Sequence, residues 1–155
     1  MSDAVLTAIY ALDGQKNWGA VEDAREKLVP LGRRIFPQAL EAYPKLRSYM
    51  ARTGLVYTSI KFALVEEDAV RLALMALGDR SARVTYYACM LLAVAGKDET
   101  ILALKGLETH RNPDVRADAS AAVFAILEKN RNLFIDRNRT GRSRLKIVGL
   151  IDPIC

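Results

Sequence analysis

The chain has 155 residues, half of them hydrophobic, which suffices for one domain with its own core and excludes a disordered tail protein. No apolar run approaches the ~20 residues of a membrane-spanning helix, and the first residues lack the basic start and cleavage site of a secretory signal, so a cytoplasmic protein with no membrane partner is expected. The net charge of +5 belongs to one end: residues 1–128 carry 16 basic and 16 acidic side chains, whereas residues 129–155 carry seven basic against two acidic.

In chain order, Ser2 suits the N-cap of a short first helix with Val5, Ile9 and Leu12 at helical spacing, closed by Asp13 and Gly14. Asn17 is expected to cap a second helix through Val21, Ala24 and Leu28 that stops near Pro30. Pro37 and Pro44 fit helix starts but not interiors, which predicts short helices beginning near each, or one helix kinked between them. From Thr53 onward the pattern sharpens. Thr53, Ser81 and Asn112 each carry a side-chain oxygen able to cap a helix, and each precedes a valine at the same offset (Val56, Val84, Val115). The three recur with a period of roughly 30 residues, which points to stacked helical pairs. Partner helices are expected over 67–77 and 98–107, matching Leu72, Leu74 and Leu77 with Leu102, Leu104 and Leu107. Gly78 and Gly96 are placed as left-handed residues closing helices. Nothing in residues 1–128 alternates with strand period, so the chain reads as all-α.

Asn112, Pro113, Asp114, Val115 and Arg116, followed by Ala119 and a run of small residues, resemble the start of the second helix of a HEAT repeat. The alternation of Leu-rich and capped, Ala-rich helices resembles the same family over residues 37–128, most specifically over 67–128. The resemblance implies a short right-handed α–α superhelix of HEAT-like hairpins over residues 1–128, regular from about 53, with residues 129–155 as a C-terminal extension. It further implies a protein-binding or assembly role. One departure is that Arg116 is matched by Thr85 and then Tyr57, which leaves no regular arginine ladder.

Catalysis finds little support. His110 is the single histidine and falls in a turn, which excludes paired-His metal ligation and His-assisted nucleophiles. Cys89 lies mid-helix with no evident base, Glu66, Glu67 and Asp68 suit a helix start, and Gly141 stands alone rather than in a phosphate loop. No metal, no cofactor and no enzymatic activity are expected.

Surfaces carry the functional expectation. Opposite the core stripes, a semi-apolar face is built from Lys61, Phe62, Tyr86, Met90, Arg116 and Phe124, which would line a groove, serve as an oligomer interface, or lie beneath residues 145–151. The tail offers a second candidate, Arg137, Arg139, Arg142, Arg144 and Lys146, suited to an acidic protein surface or to phosphates. The combination suggests a non-enzymatic scaffold for a protein partner, as adaptor, assembly factor or immunity-type neutralising protein. The alternative is a nucleic-acid binder using the arginine cluster, although residues 135–155 hold no aromatic for base stacking. Homo-oligomerisation stays open.

Overall fold

The computed structural model describes residues 2–153, and every regular element among them is helical. The α-helices are α1 (Ser2–Tyr10), α2 (Trp18–Leu28), α3 (Phe36–Ala42), α4 (Tyr49–Ser59), α5 (Glu67–Ala76), α6 (Ala82–Ala95), α7 (Ile101–Lys105) and α8 (Pro113–Leu127). Short 3-10 turns extend or precede several of them, at Val29–Ile35, Tyr43–Lys45, Ile60–Phe62, Asp98–Thr100 and Arg131–Phe134. As the prolines require, Pro37 sits in the first turn of α3 and Pro44 in a turn of its own. Helices α2, α4, α6 and α8 touch in succession, as do α1, α3 and α5; α5 packs on α6 and α7 on α8. One apolar core runs between these rows from Val5 to Phe134.

The start of α4 corrects the sequence reading. Thr53 is not a cap: it lies inside α4, buried, and the helix begins after Ser48. The Asp13 carboxylate accepts from the backbone N–H groups of Arg47 (3.0 Å) and Ser48 (2.8 Å), and Ser48 Oγ accepts from Met50 N–H (3.1 Å). That anchorage from the loop between α1 and α2 moves the helix start from Thr53 back to Ser48. The N-cap positions are therefore Asn17, Ser48, Ser81 and Asn112, a more even series than the sequence reading allowed. Asn17 and Asn112 accept from Ala20 N–H (2.9 Å) and Asp114 N–H (2.8 Å). The Ser81 side chain makes no cap bond; Asp79 Oδ1 accepts from Ser81 N–H instead, at 2.9 Å. The Ser2 side chain and Cys155 lie outside the described residues.

The corrected caps also realign the partner helices. Superposing the Ser81 and Asn112 caps pairs Leu104 with Ala73, both fully buried, and Leu102 with the exposed Arg71; Leu102 is itself 82% exposed. The leucine-to-leucine match is thus out of step with the caps. Gly96 takes the left-handed conformation (φ 66°) that closes α6, whereas Gly78 does not. After α5 the chain instead turns tightly, with Gly78 and Asp79 N–H donating to Met75 and Ala76 carbonyls. Gly54, inside α4, has a different use: a Cβ there would stand 3.3 Å from Val21 Cγ1, so its absence lets α4 close on α2.

Position four past the Ser48, Ser81 and Asn112 caps carries a polar side chain bonded to backbone carbonyls at or before the helix start. Arg52 Nη1 donates to the carbonyls of Leu46 and Arg47, each at 3.0 Å. Arg116 Nη1 repeats this with His110 (2.6 Å) and Arg111 (3.2 Å). Thr85 holds the same place in α6, its hydroxyl donating to Ser81 carbonyl at 3.1 Å. In this register Arg52, not Tyr57, is the counterpart of Arg116, and two of these three helices carry the arginine. Arg52 goes further: Nε and Nη2 clasp the Asp79 carboxylate at 2.6 and 3.3 Å, and the Tyr43 hydroxyl donates to the same group. Burial opposes ionisation of Asp79, but bonds from Arg52, Tyr43 and Ser81 outweigh it and hold the carboxyl below its usual range. Burial, aided by Asp79, pushes the Tyr43 phenol well above its usual range.

The caps and this ion pair lead to measurable consequences. Asn112→Ala should cost about 1 kcal/mol in urea denaturation, as for other N-cap losses, while Ser81→Ala should cost under ~0.5 kcal/mol because no cap bond is lost; equal losses would contradict the assignment. Arg52→Ala should cost about 3–5 kcal/mol near neutral pH by stranding a buried carboxylate. Since Asp79 is depressed in the folded state, its contribution is present above the unfolded carboxyl range near pH 4 and fades as pH falls below it. The gap between wild type and Arg52→Ala should therefore narrow toward pH 3; a constant gap would show that Asp79 is not the partner that matters.

Candidate functional site

The semi-apolar face does not present itself as an open groove. Phe62 is displaced by the earlier start of α4: it sits in the turn after that helix, buried edge-on against Phe36 (5.3 Å between ring centres). Met90 is buried beneath the C-terminal segment. There Leu145, Ile147 and Leu150 turn toward the core while Lys146 and Val148 face outward, Val148 being 89% exposed. Leu145 N–H donates to Asn132 Oδ1 (2.8 Å) and Ile151 N–H to the Lys61 carbonyl (2.9 Å), fastening the segment at both ends. A cleft of about 280 Å³ remains beside it, lined by Arg25, Tyr57, Ile60, Lys61, Met90 and residues 146–149. Tyr86 is half-buried against Phe134 and Tyr87, and burial raises its phenol pKa. Phe124 lies under the Arg139 guanidinium, 3.9 Å from its ring centre. Arg116 stands apart, its guanidinium committed to its own loop.

The basic cluster is also divided. Arg137 pairs with Asp118 (2.9 Å) and donates to Phe134 carbonyl, while Arg139 covers Phe124. Lys146 borders the cleft beside the tail but is exposed, so it and the loop residues Arg142 and Arg144 remain the unengaged cations of the cluster. Asp136 organises the bend, accepting from Thr140 N–H and hydroxyl and from Gly141 N–H; these bonds lower its pKa. Phe134, fully buried, roots the extension in the core.

A different cleft emerges where α2, α4 and α6 meet. It encloses about 270 Å³ and is lined by Trp18, Val21, Glu22, Arg25, Thr53, Gly54, Tyr57, Arg83 and Tyr87. Trp18 and Tyr57 are 38% and 43% exposed, and Tyr49, 45% exposed, meets Trp18 edge-on. Tyr57 and Tyr87 also pack edge to face, at 5.4 Å. Arg25 lies over Tyr57 while its Nε holds Glu22 at 2.8 Å, and Arg83 lies over Trp18, 5.0 Å from its ring centre. At the floor is Thr53. Thr58, Ser59 and Thr85 donate their hydroxyls to the carbonyl four residues back, whereas the buried Thr53 hydroxyl has no partner. Sequence reasoning missed this site because the displaced cap put Thr58, Lys61 and Phe62 where Thr53, Val56 and Tyr57 belong. The missed signal was Ser48, which follows Asn17 at the same interval that separates Asn112 from Ser81.

Cys89 offers no nucleophile: it is fully buried, and burial pushes its thiol up to about 12. His110 Nδ1 accepts from Asn112 N–H within its turn. Among the described residues no group of three or more His, Cys, Asp or Glu is placed to hold a metal ion, and no helix is long and apolar enough to cross a membrane. No protein-family model, no curated protein and no solved structure matches the chain.

The tail contacts make a prediction. Truncation after Thr140 should leave a cooperative helical fold but uncover Met90 and Ile60, raising the fluorescence of an added hydrophobic dye several-fold. Dye binding equal to that of the full chain would mean that residues 145–151 do not cover this face in solution.

Proposed function

We propose that the chain is a non-enzymatic protein-binding scaffold, a short HEAT-like superhelix that grips its partner with the outer face of α2, α4 and α6. The observation that carries this is the cleft itself. Tryptophan, tyrosine and arginine dominate the binding energy of protein interfaces, and Trp18, Tyr57, Tyr87, Arg25 and Arg83 converge on one hollow. Several exposed aromatics gathered together are also costly to leave uncovered, unlike the exposed Leu102 or Leu127. The succession of contacts along α2, α4, α6 and α8, with caps recurring at a near-constant interval, supports the repeat architecture. Adaptor, assembly factor and neutralising protein are equally compatible with such a face.

The nucleic-acid alternative is weaker in this geometry. Arg137 and Arg139 are engaged within the fold, and the two remaining loop arginines with Lys146 make a small phosphate footprint.

Capture of the partner with a photo-crosslinker placed near Tyr57 tests the proposal. Trp18→Ala and Tyr57→Ala should each weaken the complex by about tenfold or more with a cooperative fold retained, because both side chains sit at the margin of the core and are only partly buried. Charge reversal of Arg142 and Arg144 should leave binding unchanged. A complex indifferent to Trp18 and Tyr57 but lost with the loop arginines would reverse the assignment.

A further inference from the structure

The charges around this cleft define the partner more narrowly, an inference that rests on the protein-binding reading above. Arg83 has no ion-pair partner among the described residues, and it is held by Trp18 rather than by a carboxylate. Tyr49, whose ring meets Trp18, borders a second hollow of about 290 Å³ lined also by Arg47, Arg52, Arg80 and Ser81. Arg47 and Arg80 are exposed and likewise lack an acidic partner among the described residues. Glu22 is paired with Arg25 and Asp79 with Arg52, while Asp13 accepts from the backbone N–H groups of Arg47 and Ser48. Arg83 at the aromatic hollow and Arg47 and Arg80 at its neighbour thus lack an ion-pair partner among the described residues, on a body whose net charge over residues 1–128 is zero.

We propose that these neighbouring hollows receive an acidic, extended segment of a protein partner, with an apolar side chain seated among Trp18, Tyr57 and Tyr87 and flanking carboxylates on Arg83 and on Arg80 or Arg47. A guanidinium stacked on a ring is oriented in advance, and its in-plane N–H groups stay free for the two oxygens of a carboxylate. The unpartnered Thr53 hydroxyl at the floor is the second mark of an occupant. A buried hydroxyl without a bond is costly, and a backbone carbonyl of the inserted segment would accept the bond that its helix does not. Phosphates would also meet the arginines, but the geometry disfavours a nucleic acid. Arg83 and Arg25 each cover a ring face that a base would need for stacking, and the Glu22 carboxylate lies in the cleft wall.

Trp18 is the single tryptophan of the chain, so its emission reports on the cleft alone. A random peptide library panned against the immobilised full-length chain should enrich peptides in which Asp or Glu flanks an apolar residue, and these should change Trp18 emission saturably. Arg83→Glu, at an exposed position, should weaken them about tenfold or more, and panning against that variant should enrich Lys or Arg at the same place. Thr53→Val should weaken binding several-fold while the melting temperature holds or rises, the opposite of what a purely structural threonine would do. Enriched peptides without a fixed acid, or acidic peptides bound equally by Arg83→Glu, would overturn the acidic-segment proposal and leave protein binding at this face intact. A library yielding only peptides that leave Trp18 emission unchanged, or yielding none, would overturn both. An oligothymidylate that shifts Trp18 with a steep salt dependence would replace both with nucleic-acid binding.

Discussion

A guanidinium taken out of water must find its bonds inside the fold, and Arg52 does so by joining three separate segments. Two loop carbonyls ahead of α4, the Asp79 carboxylate ahead of α6 and, through Asp79, the Tyr43 phenol after α3 meet at this one side chain. Such a pair adds little net stability over an apolar replacement of equal shape, because desolvation offsets the attraction. Its consequence is geometric. Any slip of α4 along its axis would strand a buried charge, so the ion pair holds α4 in one register against its neighbours. Asp13, reaching across to the Arg47 and Ser48 N–H groups, fastens the same loop from the other side.

That register decides which residues become surface. With α4 starting after Ser48, Thr53 and Tyr57 face the hollow between α2 and α6, while Phe62 passes into the core against Phe36. Gly54 contributes by letting α2 approach, which brings Trp18, Val21 and Arg25 up to α4. The aromatic cleft is therefore a by-product of close helix packing with small residues at the crossing and large ones at its margin. Local charge follows the same logic. A body neutral in sum still carries arginines without an ion-pair partner where neighbouring acids such as Glu22 and Asp79 are paired with other arginines.

The extension shows how little net charge says about exposed charge. Its seven basic side chains account for the whole excess, yet Arg137 is paired, Arg139 lies on Phe124 and Lys146 borders the tail-covered cleft. Its apolar end acts as a cover: alternate residues turn inward onto the core, and backbone bonds to Asn132 and Lys61 hold the strip in place. Arg25 and Tyr57 line both the tail-bordered cleft and the open one beside Trp18, so the covered and uncovered surfaces adjoin.

Helical periodicity, proline placement and capping chemistry are local properties, and whatever depends on them alone can be read directly from the residues. The all-α class, the helix starts at Asn17 and Asn112, the breaks at Pro30 and Pro44, and the turn at Gly96 were all legible because neighbouring residues suffice to produce them. Composition showed that residues 145–151 are too apolar for a free tail, but not which surface they cover. Three features instead came from packing between distant segments. Thr53 and Ser48 are both good capping residues, and the choice between them rests on Asp13, in the loop between α1 and α2. The leucine match between α5 and α7 failed because burial follows the cap register rather than residue type, leaving Leu102 in solvent. The candidate cleft draws Trp18, Tyr57 and Arg83 from three helices, and no spacing along the chain encodes a meeting that only the packing of those helices creates.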